Sequence, residues 1–437
     1  MDNNEEKSEI MPSTEEKAEE KAFSRPPEPP AQKPKRKISV GLSVFITVIA
    51  MFITFQSTYI VMSEKSKLAI NEARGEIAKY GDLFDMIDIF KKNYIYDVDD
   101  ELINDGLLHA YAYYSGDKYA VYYNSEEWSD FVNQMNGNNV GIGVYVTSVK
   151  NGIEVLHVMT GTPAEKAGFM KGDIIVAIDG NDISEMAYND AVNLVAGEVG
   201  SQVLITVKRG DEKINLTATR ENYEAQTVIA DVFEREGKKV GYIHITNFYS
   251  VTTKQFIAAV EAAKREGCEA LIFDVRGNPG GELAAVCNIL DYLLPEGPIV
   301  RTFRRDGDKL TQETVEYKSG ASCIDLPMVV LADGNSASAA ELFTSALRDY
   351  NKITLVGTNT YGKGCGQSGF AVGDGYLMVT SFLYAPPFSD NYDGKGIAPD
   401  IEVELSEEYK NKNIMSLTLE QDAQLLAALE EAFSKIK

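Results

Sequence analysis

The part of the chain that most restricts its fold is residues 223–405, where strand-like and helix-like stretches alternate. Lys239–Ile245 reads as a strand and Thr253–Arg265 as a helix, with Ala258, Val260, Ala262 and Ala263 on or near one face. Ala270–Arg276 is a mostly apolar strand, and a helix follows from Glu282 to Leu294. Met328–Ala332 is again a strand, followed by a helix to Tyr350 and a strand over Lys352–Gly357. Apolar strands of this kind suit a sheet covered on both faces, and the alternation predicts an open α/β sheet. Two strand-to-helix corners stand out, Gly277-Asn278-Pro279-Gly280-Gly281 and Asp333-Gly334-Asn335-Ser336-Ala337-Ser338-Ala339-Ala340-Glu341. Open sheets place their sites at the carboxyl ends of the strands. The unpaired N–H groups of a helix N-terminus there suit a developing negative charge.

Residues 137–222 have a different character. A glycine-bearing loop, Val140-Gly141-Ile142-Gly143, runs into a strand through Val146, and Ile153–Val158 is a second strand. Gly161–Gly168 reads as a turn and short helix, Gly172–Gly180 as a strand closing in a turn, Ala187–Ala196 as a helix and Gln202–Lys208 as a final strand. That order resembles a PDZ domain in its bacterial protease form. The resemblance implies that Gly141, Ile142 and Gly143 present backbone N–H groups to a peptide's terminal carboxylate, with the peptide added as a strand to the neighbouring edge.

Residues 1–37 are polar and rich in Pro, Glu and Lys, and end in the basic cluster Lys33-Pro34-Lys35-Arg36-Lys37. Such a segment buries too little apolar surface to offset its ordering entropy, so a disordered tail is expected. Residues 38–62 carry no charged side chain. As a helix they span about 38 Å, enough to cross a hydrocarbon core of about 30 Å with some tilt. The basic cluster in front predicts a cytoplasmic tail and an extracytoplasmic remainder. A cleaved signal peptide is disfavoured by the long preceding tail and the absence of an A-x-A site. Residues 63–136 read as helical, with apolar stripes at Leu83, Phe84, Met86, Ile87, Ile89 and Phe90 and at Leu102, Ile103, Leu107, Leu108 and Tyr111. The net charge of −24 falls almost wholly beyond residue 37 and argues against nucleic acid as a partner.

The four cysteines form no C-x-x-C pair, so neither a zinc site nor a disulfide framework is expected. Histidine, the usual base of hydrolases, occurs only at positions 109, 157 and 244. Ser336-Ala337-Ser338-Ala339-Ala340-Glu341 and Tyr361-Gly362-Lys363-Gly364-Cys365-Gly366-Gln367 instead resemble the two catalytic signatures of the carboxyl-terminal processing peptidases, also called tail-specific proteases. Arg276–Gly281 resembles their third segment, and the PDZ-like module stands in the family's position. The resemblance implies Ser338 as nucleophile, Lys363 as general base and Gln367 as the partner that orients the lysine. It places the oxyanion donors at the backbone N–H groups of Ala339 and of one glycine of the Gly280-Gly281 pair, Gly280 being favoured. It implies no metal and no other cofactor. A serine hydroxyl needs a base to become a nucleophile. Lysine serves only when neutral, and its ordinary pKa is about 10.4, so burial without a carboxylate partner is required.

The fold class expected is therefore a multidomain α+β and α/β protein. It comprises a tail (1–37), a transmembrane helix (38–62), a helical, dimerisation-type segment (63–136), a PDZ domain (137–222), an open-sheet Ser-Lys peptidase core (223–405) and a C-terminal helical segment (406–437). The expected activity is endopeptidase cleavage of proteins at or near their C-termini, with the PDZ domain reading substrate tails or gating the site. Expected partners are protein or peptide substrates with free C-termini, the membrane through residues 38–62, and a second copy met through the front helices and Leu417–Ile436. Departures from the family pattern are Ala340 in place of a third serine, Cys365-Gly366 beside the lysine, and Gly277 where asparagine is common. Two other functions fit the sequence less well. A catalytically dead PDZ adaptor is countered by the filled catalytic positions, and a histidine-dependent esterase by the absence of a G-x-S-x-G elbow.

Overall fold

A computed structural model describes residues 40–307, 309–320 and 323–436. The tail and basic cluster of residues 1–37 lie outside the described residues, as do part of the 38–62 stretch and many of its side chains. The chain divides at residue 98 into two compact units. In the first, helices Val40–Lys79 and Gly81–Asn93 follow one another, and the stripe residues Phe84, Met86, Ile89 and Phe90 are exposed. Among the described residues no helix is long and apolar enough to cross a membrane.

The second unit begins with helix Asp100–Tyr114, whose N-terminal N–H groups are capped by the Asp99 carboxylate. The segment expected to be helical to residue 136 is not helical throughout. Val121–Tyr123, a β-branched and aromatic triplet, is a strand paired antiparallel with Gly375–Ala385, and helix Ser125–Met135 follows.

The PDZ-like module is a sheet in the order Val144–Val149, Gly152–Val158, Ile174–Ile178, Gln202–Arg209, Glu212–Thr219. The last of these strands lies beyond the expected set. Alternate side chains of these strands, Ile153, Val155, Ile175, Val203, Ile205 and Val207, meet Ile142, Ala164, Phe169 and Ala191 in one small core. A two-stranded ribbon of Asn138–Gly141 and Glu221–Glu224 joins its ends to the rest of the unit.

The second domain is built on a six-stranded sheet in the order Val228–Arg235, Lys238–Ile245, Ala270–Asp274, Met328–Ala332, Ile353–Gly357, Ile401–Glu402. All neighbours are parallel except the first pair. Leu271, Phe273 and Val330 point to one face, which helices Thr252–Arg265, Leu283–Leu293 and Ala339–Asp349 cover. Ala270, Ile272, Val329 and Leu331 point to the other, which helix Ala423–Lys435 covers through Leu425, Ala428, Leu429, Ala432 and Phe433. Burying one such leucine or phenylalanine is worth about 1.5–3 kcal/mol. The apolar face of the C-terminal segment is thus closed against its own sheet. The contact with a second copy expected of Leu417–Ile436 thus finds this face already occupied.

An antiparallel sheet absent from the sequence reading stands beside this core. Gly375–Ala385 pairs with Val121–Tyr123, with Gly297–Asp306 and with Cys365–Val372, and Lys309–Ser319 forms a hairpin with Gly297–Asp306.

Candidate active site

The two corners are stitched to one another. Ser336 donates its hydroxyl to the Val275 carbonyl at 2.8 Å, Gly277 N–H donates to Asp333 Oδ1 at 3.0 Å and Ala337 N–H to the Asn278 carbonyl at 2.9 Å. The first serine of S-A-S is therefore structural. The second, Ser338, sits at φ 56°, ψ −117°, a sparsely populated region that persists only where neighbours fix it. The Glu341 carboxylate does so from inside the following helix, accepting the Ser338 N–H at 3.0 Å.

Gly280, at φ +106°, is pressed against this serine, and a Cβ there would stand 2.7 Å from Ser338 Cβ. Its N–H is already committed to Asn278 Oδ1 at 2.8 Å. The neighbouring Gly281 pairs with Phe248, and its own N–H has no protein acceptor among the described residues. Gly281 also lines the cleft beside Ser338 and Ala339. The free donor of the glycine pair is therefore Gly281, which corrects the expectation of Gly280.

Lys363 lies in the connection between strands Ile353–Gly357 and Cys365–Val372. Glu341, a buried residue, also accepts the N–H groups of Gly362 and Lys363, each at 2.7 Å, and the Thr360 hydroxyl at 2.6 Å. One carboxylate thus sets the backbone of both Ser338 and Lys363. Lys363 Nζ donates to Gln367 Oε1 at 3.0 Å and lies 4.3 Å from the Tyr119 ring centroid. Burial pushes the ammonium below the ordinary lysine range, outweighing the opposite pull of Asp117 and Asp393. Gln367 Nε2 in turn donates to Thr380 Oγ1 at 3.2 Å. The Tyr384 hydroxyl donates its one hydrogen to the Lys363 carbonyl at 2.9 Å, and Ser338 Oγ lies 3.4 Å from the same phenol oxygen. Burial raises the Tyr384 phenol well above its ordinary value, so it stays a donor. Cys365 is buried, with Sγ 3.9 Å from Gln367 Nε2 and its thiol pushed up by burial.

Ser338, Ala339, Lys363, Gln367 and Gly281 share a cleft of about 620 Å³. Its remaining walls are mostly apolar, from Leu283, Met378 and Phe382 and from Phe131, Val132 and Met135 of the Ser125–Met135 helix. A strained serine, a partly desolvated amine and unpaired N–H groups in one apolar cleft can perform acyl transfer. The histidines lie elsewhere. His109 faces Asp105 and Glu127, His157 bonds Gln226, and His244 is buried beside Asp274.

The PDZ-like loop places Gly141, Ile142 and Gly143 at the head of a second, smaller groove of about 150 Å³. Gly143, at φ +81°, packs on Thr162 so closely that a Cβ would fall 2.4 Å from it. The groove runs between the free edge of Val144–Val149 and the Tyr188–Val195 helix, with Val146, Val192 and Val195 in its walls. Tyr188 donates to the Val146 carbonyl on that edge at 3.3 Å.

Glu341 and Tyr384 escaped the sequence reading as site residues. Glu341 carried a signal, a carboxylate in the first turn of the helix that starts at the motif. Tyr384 carried none.

Residues 239–403 match the family model for peptidase family S41, and residues 154–209 that for a PDZ domain. The chain is 30% identical over 371 residues to a carboxy-terminal-processing protease of Bartonella bacilliformis, covering 82% of this chain and 83% of that protein. It is 31% identical over 305 residues to a probable CtpA-like serine protease of Staphylococcus aureus strain COL, covering 69% of this chain and 60% of the relative. Among solved structures it matches a photosystem II D1 C-terminal processing protease at 24% identity, with a TM-score of 0.44, over 73% of this chain and 86% of that one.

Proposed function

This chain belongs to the carboxy-terminal-processing serine proteases of peptidase family S41, and we propose that its reaction runs through Ser338 as nucleophile and Lys363 as general base. The observation that carries the proposal is the shared cleft, in which one buried carboxylate, Glu341, sets the backbone of both residues. Ser338 Oγ turns from Tyr384 toward Lys363 Nζ, gives up its proton and attacks the scissile carbonyl carbon. The oxyanion is met by the N–H groups of Ala339 and Gly281. The Lys363 ammonium returns the proton to the departing amine, and water then hydrolyses the acyl-enzyme by the same steps. Gln367 orients the amine without a charge of its own, which leaves the lysine free to be neutral. The apolar walls of Leu283, Met378 and Phe382 favour apolar side chains next to the cut.

The PDZ groove takes the substrate's C-terminal carboxylate at Gly141–Gly143, with the tail added to the Val144–Val149 edge. In this proposal residues 38–62 anchor the enzyme in the membrane, with the tail in the cytoplasm and the peptidase outside it. The uncharged stretch and the basic cluster before it support that placement.

The test incubates the protein with an unstructured polypeptide ending in apolar residues and follows both cleavage and labelling by a fluorophosphonate. Ser338→Ala is expected to lose both, and Lys363→Ala to lose cleavage. Cleavage retained by Ser338→Ala overturns the proposal. Gly143→Ala is expected to raise KM for tailed substrates and leave the labelling rate unchanged.

A further inference from the structure

We infer that Asp117, in the loop after helix Asp100–Tyr114, is a positioning residue whose carboxylate fixes the direction of the hydrogen-bond chain ending at Lys363. The inference deepens the Ser338–Lys363 reading and rests on it.

The chain starts outside the S41 match. Asp117 accepts the Thr380 N–H at 2.7 Å, the Thr380 hydroxyl at 2.9 Å and the Tyr119 N–H at 3.0 Å. Burial alone would raise this carboxyl, but the bonds from Thr380 and Tyr119 outweigh it and hold it below the ordinary range. Asp117 is therefore ionised at neutral pH, and an ionised carboxylate only accepts. Thr380 has one hydroxyl hydrogen, and Asp117 holds it. The Thr380 oxygen is left to accept, and it does so from Gln367 Nε2 at 3.2 Å. A primary amide anchored by its nitrogen turns its oxygen the other way, and Gln367 Oε1 meets Lys363 Nζ at 3.0 Å.

The direction matters because a neutral amine has two hydrogens and one lone pair. With an acceptor in front of it, Lys363 gives Gln367 a hydrogen and keeps the lone pair for Ser338. With the amide reversed, the Gln367 nitrogen would donate to that lone pair and occupy the base. The groups facing Lys363 are Cys365, Lys118, Asp117 and Asp393, with the Tyr119 ring against its Nζ. The Tyr119 ring, two residues after Asp117 and ahead of the PDZ domain, thus packs against the base.

Asp117→Asn in the full chain is the test. Oδ1 takes the Thr380 hydroxyl and the Tyr119 N–H and Oδ2 the Thr380 N–H, so either orientation of the asparagine amide leaves one N–H facing its nitrogen. With that nitrogen on the Oδ1 side the Thr380 hydroxyl must accept, which reverses every bond that follows. The expected loss in kcat is about 10- to 100-fold, the scale on which partners that orient a site ligand act. KM should stay within about threefold, because substrate binding is untouched. The acid limb of the kcat/KM profile should move to lower pH. Losing the carboxylate and gaining a donor to the neutral amine both favour unprotonated lysine, whereas a merely structural loss would leave the limb in place.

Thr380→Val cuts the chain at its middle. In that background Asp117→Asn should cost less than about threefold more, since the two act through one path. Thermal unfolding checks that each variant is folded. If Asp117→Asn does not fold, Thr380→Val alone decides, and its activity at the wild-type rate overturns the inference. Ser338→Ala or Lys363→Ala retaining cleavage sinks the parent reading instead. With those two inactive, Asp117→Asn at wild-type rate and limb, or an undiminished cost in the Thr380→Val background, refutes the inference alone.

Discussion

Replacing Glu341 by glutamine removes one charge and no volume, yet should damage both fold and site. The carboxylate takes four hydrogen bonds, from Thr360 and Gly362 at Oε1 and from Ser338 and Lys363 at Oε2. Glutamine offers one oxygen, so whichever way the amide turns, its nitrogen faces two donors. The cheaper orientation points it at Thr360 and Gly362, because the Thr360 hydroxyl can rotate, though it also holds the Ile397 N–H at 2.8 Å. Each buried donor left unmet costs about 1–3 kcal/mol, and the bonds that remain lose their charge assistance. The sum is about 3–6 kcal/mol, a large share of the 5–15 kcal/mol or so that holds a typical protein together. Denaturant unfolding reads that loss directly. The fluorophosphonate acylation rate, taken at a temperature where the variant is still folded, should also fall, because Ser338 and Lys363 no longer share a rigid anchor. A Glu341→Gln protein within about 1 kcal/mol of wild type that is acylated at the same rate would falsify the view that this carboxylate sets the site.

Asp422→Ala should destabilise by about 3–5 kcal/mol in denaturant unfolding, because it strips one of the two carboxylates from the buried Arg276 guanidinium. Gly280→Ala should abolish acylation while leaving much of the fold, since the residue stands at φ +106° with no room for a Cβ against Ser338; labelling and thermal unfolding measured together separate the two effects. Hydrolysis should rise with pH through the lowered Lys363 pKa, because the neutral amine is the active form and activity disappears as pH falls and protonates it. Log kcat/KM against pH should have unit slope on that limb, and Lys363→Arg should be inactive throughout, since a guanidinium stays charged to a pH of about 12.

Much of the peptidase sheet was legible because its strands are unbroken apolar runs and its corners are dense in glycine and serine. Such signals are local, and the structure brings Ser338, Lys363 and Gln367 into one cleft as the motifs imply. The antiparallel sheet was not legible. Gly375–Ala385 is half-buried along most of its length and pairs with residues near 121 and near 301, so nothing in its own sequence names its partners. Gly280 was favoured over Gly281 because a sequence does not say that the Asn278 side chain turns back to occupy one of the two N–H groups. The C-terminal segment was legible only as helical, because nothing in its own sequence names the sheet face that Ala423–Lys435 covers. Asp117 was invisible for a related reason: its bonds cross to Thr380, far along the chain, and the region around it resembles plain helical packing.

Arg276 follows directly on the strand that leads into the glycine corner, and its guanidinium reaches Asp274, Asp422 and Gln424 at once. Asp422 also caps helix Ala423–Lys435, the element that covers the rear of the sheet. During synthesis every motif residue, through Gln367, therefore leaves the ribosome before the parts that brace the corner beside Ser338. A ribosome stalled after residue 400 releases a chain with Ser338, Lys363 and its PDZ groove, but with a buried cation half-matched and one sheet face bare. Translation order thus separates the motifs from their brace, and the corner beside Ser338 is completed only when Asp422 and helix Ala423–Lys435 dock on the sheet.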